Sequence, residues 1–105
     1  MAAEHLEMKR SRTGDVVRIF IKGRISTSTS NRFSLELTAA LRLGPKKIIL
    51  DMSEVQFLSS LGIRSILSTY RQAAAMGGKL LIANPPPSVK NVLGMAALNS
   101  MLLEE

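Results

Sequence analysis

The sequence predicts one α/β domain built on a central sheet with right-handed crossovers. Three observations carry that expectation. GDVVRIFIKG, Gly14 to Gly23, alternates apolar and polar residues between two glycines, the pattern of a strand with one buried face. Two later apolar runs, in KKIILDM and KLLIAN, lack alternation, as strands covered on both faces do. Segments of helical period stand between these runs, and 105 residues suit a single domain.

Taken in order, HLEMKRS (5–11) is a candidate partner strand, joined to the next through a turn at Thr13-Gly14. In that next strand Val17, Ile19 and Ile21 take one face, and Val16, Arg18, Phe20 and Lys22 the other. STSTSN (26–31) gathers helix-capping residues, and Phe33, Leu37, Ala40 and Leu41 after it fall on one helical face. Gly44-Pro45 ends that helix. The run Ile48, Ile49, Leu50 reads as a central strand ending at Asp51, with Glu54 in the following loop.

A second helix opens at Ser59-Ser60. Ile63, Ile66, Leu67, Tyr70 and Ala74 are its expected apolar stripe, with Arg64, Ser65, Ser68 and Arg71 outward. Gly77-Gly78 stops it, and KLLIAN follows as a buried strand. PPP at 85–87 forces a break. Ser88 is the expected cap of a third helix with Val89, Val92 and Leu93 inward, and NSMLLEE either adds a short strand or frays.

Composition excludes much chemistry. The chain has no Cys, which removes disulfides, thiolate metal sites and Cys nucleophiles, and its single His is His5. MAAEHLEMKR carries Glu4 and Glu7 and no apolar block, so it is not read as a secretory signal, and no run approaches a membrane span. A cytoplasmic protein without membrane insertion is the expectation. Fourteen Lys and Arg against eight Asp and Glu give a net charge of +6. The cations are scattered without interleaved aromatics, a solvated surface rather than a nucleic-acid track.

Phosphate-loop, dinucleotide and nucleophile-elbow motifs are missing, and Asp51 with Glu54 reads as two solvated loop acids rather than a catalytic pair. The chain is therefore expected to be no enzyme and to hold no metal or other cofactor.

The serine pair remains. At a strand-to-helix junction the first turn offers unpaired N–H groups and partial positive charge. If Ser59 caps the helix, Ser60 holds the first helical position with its hydroxyl toward solvent, a favourable place for an added phosphate. Gly62 leaves the first turn unshielded, and Arg64, four residues on from Ser60, could pair with such an anion.

IILDMSEVQFLSSLGIRSIL resembles the STAS domain of anti-sigma factor antagonists. Leu50-Asp51-Met52-Ser53 is similar to the family's strand end, Val55 and Phe57 to its loop, and Gly62-Ile63 to the Gly-Leu of its helix start. GRIS (23–26) and GGKLLIANPPPSVKNVLGMAAL resemble further family segments, so the resemblance runs through nearly all of the single domain expected over 1–105.

It implies a mixed sheet of four or five strands with helices mainly on one face. It also implies a non-enzymatic regulator that binds an anti-sigma factor of serine protein kinase type, frees a sigma factor, and is switched at Ser60. A phosphatase is a further implied partner, and nucleic acid is not. Ser26, Thr27, Ser59, Ser60, Leu61, Gly62 and Arg64 form the expected binding face. The alternative is an unphosphorylated scaffold or transporter-associated module. Two family acids fall on Ser26 and Ser59, and a second hydroxyl falls on Leu61, so the face loses negative charge.

Overall fold

The computed structural model describes residues 5–103. Along the chain lie β1 (Leu6–Thr13), β2 (Val16–Ile25), α1 (Ser30–Arg42), β3 (Lys47–Leu58), α2 (Ser60–Ala75), β4 (Lys79–Ala83), α3 (Pro87–Met95) and β5 (Leu102–Leu103). The strands form one five-stranded sheet in the order β1-β2-β3-β4-β5. β1 and β2 pair antiparallel, and each later neighbour pair is parallel. This is the expected α/β architecture, with the tail forming a strand. The expected bounds of 1–105 and the reading of the first residues reach 1–4 and 104–105, which lie outside the described residues.

The β1–β2 hairpin closes through Gly14, whose φ of +59° suits a residue without a Cβ. Val17, Ile19 and Ile21 are fully buried, as their alternation requires. Register sets Val17 beside Ile48 and Ile19 beside Leu50, and then Ile48 beside Leu80 and Leu50 beside Ile82. Phe33 and Leu37 of α1, Ile66 of α2, and Val89 and Leu93 of α3 belong to the same buried cluster. Each parallel strand is added on the same side of the last, so right-handed crossovers bring the helices to one face. The other face carries half-buried Val16, Arg18 and Phe20 and an ion pair between Arg18 and Asp51.

Three local expectations are corrected. β3 runs on to Leu58 instead of ending at Asp51, because its second half still pairs with Lys22–Ile25 of the long β2 through two register shifts. Asp51 and Glu54 are therefore strand residues. The buried line of α2 is Gly62, Ile66, Thr69 and Ala73, so Tyr70 and Ala74 turn outward. Small side chains let α2 lie close to its neighbours, and Thr69 is tolerated there because its hydroxyl donates to the Ser65 carbonyl at 2.8 Å. Finally, α3 starts at Pro87 with Pro86 before it, and Ser88 lies inside the first turn rather than capping it. Proline suits that start because the first-turn N–H has no helical partner to lose.

Candidate functional site

The ends of β2 and β3 bring two hydroxyl-rich segments together. The Ser59 N–H donates to the Ile25 carbonyl at 2.8 Å, a last rung that sets the 26–29 turn beside the start of α2. Ser59 is extended, with φ −81° and ψ 167°, and its Oγ accepts the Gly62 N–H at 3.2 Å. It is a helix cap. Ser60 is the first residue of α2, exposed, and its hydroxyl bonds to none of the described residues.

Ser26 is placed otherwise than a contact residue would be. It is 6% exposed, with its Oγ 3.0 Å from Ser28 Oγ and 3.4 Å from Thr29 Oγ1. The Ser26 N–H donates to Thr29 Oγ1 at 2.9 Å, and that hydroxyl donates onward to the Arg24 carbonyl at 2.7 Å. Ser26 thus holds the turn rather than presenting a hydroxyl, while Thr27 and Ser28 are exposed. Gly62 is also corrected. It is buried, and a Cβ there would meet Ile25 and Leu58, so its missing side chain admits the domain's own core and not another protein.

Around Ser60 the surface is apolar and cationic. Phe57 is 41% exposed and Leu61 36% exposed. The Arg24 guanidinium lies over the Phe57 ring, 4.7 Å from its centroid. Arg64, one turn beyond Ser60, is exposed and in no ion pair with the described residues. No Asp or Glu occurs in 16–35 or 55–75, the segments that build this face.

The Arg24–Phe57 stack is the feature that sequence reasoning missed. Its signal lies in the ladder, because Arg24 pairs directly with Phe57 only after the register shift at Gly23/Arg24.

Asp51 is already engaged elsewhere. Its Oδ2 accepts from Arg18 at 2.9 Å and its Oδ1 from the Ser53 N–H at 3.1 Å. Burial alone pushes its carboxyl up, but the Arg18 guanidinium and the Ser53 bonds outweigh that, and it is held below the ordinary carboxylate value. Among the described residues, no three His, Cys, Asp or Glu side chains group to hold a metal, and no helix is long and apolar enough to cross a membrane.

A family model, the STAS domain, matches residues 7–104. An anti-sigma F factor antagonist of Paenibacillus polymyxa is 28% identical over 94 residues, 89% of this chain and 79% of the relative. The anti-sigma factor antagonist SpoIIAA, solved in its unphosphorylated form, superposes with a TM-score of 0.83 at 20% identity, covering 94% of this chain and 88% of that one. The Bacillus cell fate determinant SpoIIAA in its phosphorylated form gives 0.76 at 20% identity, over 94% and 91%. The solved structures share this fold.

Proposed function

The chain belongs to the STAS domain family, and from that premise we propose that it is an anti-sigma factor antagonist, a non-enzymatic regulator acting in the cytoplasm. It binds an anti-sigma factor of the serine kinase type and so releases a sigma factor. One observation carries this reading: an exposed hydroxyl opens α2 at Ser60, between the exposed side chains of Phe57 and Leu61. The named relative supports it, being an anti-sigma F factor antagonist over most of its length.

Docking follows from the surface. Phe57 and Leu61 supply apolar area to be removed from water, and an arginine stacked on an aromatic ring is the kind of anchor that dominates interfaces. Because the face carries Arg64 and the segments that build it, 16–35 and 55–75, hold no Asp or Glu, the partner's matching surface is acidic around an apolar socket.

Phosphorylation of Ser60 reverses docking. The phosphate adds about −1.5 to −2 charges at a helix start that tolerates them, within reach of Arg64. The free protein accommodates the group, but a docked partner must strip its water and face its charge. A phosphatase then restores binding. SpoIIAA, solved in phosphorylated and unphosphorylated forms, supports such a switch on this fold.

The test incubates the protein with its cognate anti-sigma kinase and ATP, then maps the modified residue by mass spectrometry. Label on Ser60, lost in Ser60→Ala, is the expected result. Ser60→Asp should bind the unlabelled partner at least tenfold more weakly. Absence of label on Ser60 removes the switch.

A second reading is an unphosphorylated scaffold or transporter-associated module. It is favoured by the loss of carboxylates beside Ser60, since Ser26 closes a turn and Ser59 caps α2 where the family's acids stand. Co-purification with a transporter or scaffold complex, and not an anti-sigma factor, selects it.

A further inference from the structure

The end of the domain remote from Ser60 has a different character. α2 is 16 residues long, so its last residue lies roughly 22 Å from Ser60 at about 1.5 Å per residue. α1 and α2 run parallel as successive crossover helices, and both end at this pole. Three loops converge there. The Lys46 and Lys47 N–H groups donate to the Asp15 carbonyl at 2.8 and 3.1 Å, and the Lys79 N–H donates to the Lys46 carbonyl at 2.9 Å.

Two features coincide at this pole. Leu43, which ends α1, is 43% exposed, and Met76, which ends α2, is 59% exposed. Around them stand Arg12, Arg42, Lys46, Lys47 and Lys79, with Asp15 the one carboxylate of the three loops. Arg12 is spent locally, donating to the Leu43 and Gly14 carbonyls, both at 2.9 Å. Lys46, Lys47 and Lys79 make no ion pair among the described residues. Cations at helix ends complement the helix dipole, which accounts for Arg12 and Arg42 but not for three lysines on loops and strand starts.

We propose that this pole seats the domain on an anionic membrane surface, without insertion of a spanning segment. Dispersed lysines around two protruding apolar side chains match a lipid headgroup layer, which offers diffuse negative charge above hydrocarbon. An acidic protein segment would be met by paired, directional contacts such as arginine forks, and the lysines here are point charges on flexible stems. Seated this way, the domain turns Ser60, Phe57 and Leu61 toward water. A membrane-held regulator would still be open to its kinase and partner. The inference stands apart from the switch, since none of its residues lies on the Ser60 face.

The test is co-sedimentation of the full chain with vesicles of phosphatidylcholine alone and of phosphatidylcholine with roughly a third phosphatidylglycerol, at low and high salt. Binding to the anionic vesicles alone, lost at high salt, is expected. The double variant K46E/K79E should bind them at least tenfold more weakly. A second variant, L43S/M76S, should weaken binding several-fold without changing its salt dependence, and both should keep the wild-type circular dichroism spectrum. No binding to anionic vesicles, equal binding to neutral ones, or full binding by K46E/K79E overturns the assignment. So does salt-sensitive capture by polyglutamate with no capture by vesicles, which would point to an acidic protein instead. Ser60→Asp serves as the control and should bind vesicles as the wild type does, whatever it does to partner affinity.

Discussion

Gly62 lies against Ile25 so closely that a Cβ on the glycine would come within 2.7 Å of the isoleucine Cγ2 and 2.7 Å of Leu58 Cδ1. The start of α2 is thereby pressed onto the ends of β2 and β3, and this contact fixes the direction in which Ser60 points. Gly62→Val should destabilise the domain by about 2–3 kcal/mol, because overpacking a filled site outweighs the gain of roughly 0.5 kcal/mol in helix propensity. Urea unfolding measures it. An unchanged midpoint would mean that α2 can tilt away freely, and that the site is not held by this contact.

The Ser59 cap is separable from the switch proposed at Ser60. Ser59→Ala removes the acceptor for the Gly62 N–H and should cost about 1 kcal/mol of stability, read as a lower thermal midpoint. Ser59→Asp should keep full stability, since a carboxylate caps at least as well and favours the positive helix start. The same variant places an acid beside Ser60. If the missing acid limits the kinase, it should also raise the rate of Ser60 labelling.

Much of this architecture was legible because its signals are local. Alternation from Val17 to Ile21, the apolar runs of β3 and β4, and the glycines that follow α1 and α2 are short-range patterns, and each became the element it predicts. The capping role of Ser59 was equally local, resting on one hydroxyl three residues before an N–H. What escaped depends on partners distant in sequence. The extent of β3 was set by ten residues of β2 lying alongside, and the rotation of α2 by how closely small residues let it settle. Ser26 looked like a surface hydroxyl until Thr29 and Ser28 folded over it. The Arg24–Phe57 stack needed a register shift that neither segment encodes alone.

Acid stability should report the Arg18–Asp51 pair. The folded carboxyl is held below its ordinary value of 3.8, so the unfolded chain takes up a proton first as pH falls. The pair's contribution is therefore complete above that value and disappears as pH drops through the lower folded value. Arg18→Met should lose stability at neutral pH, where a buried carboxylate is left without its cation. The gap between wild type and variant should narrow below pH about 4. A gap that stays constant across acid pH would show that Arg18 acts by packing and not by charge.

Affinity for the partner should depend on Phe57 more than on any hydroxyl of the face. Phe57→Ala removes a ring that is 41% exposed and stacked on Arg24, so folding stability should fall by no more than about 1 kcal/mol. In the complex the same truncation deletes the platform on which Arg24 rests, and should weaken binding by about 2 kcal/mol, near thirtyfold. Arg24→Gln should lose less, and its loss should shrink at high salt because charge attraction is screened where buried apolar area is not. Calorimetric titration of the anti-sigma factor with each variant at two salt concentrations separates these effects. Were Phe57→Ala to bind as the wild type does while Thr27→Ala failed, docking would centre on the 26–29 turn. The start of α2 would then be a neighbour of the interface, and a phosphate on Ser60 would have to act on binding from its edge.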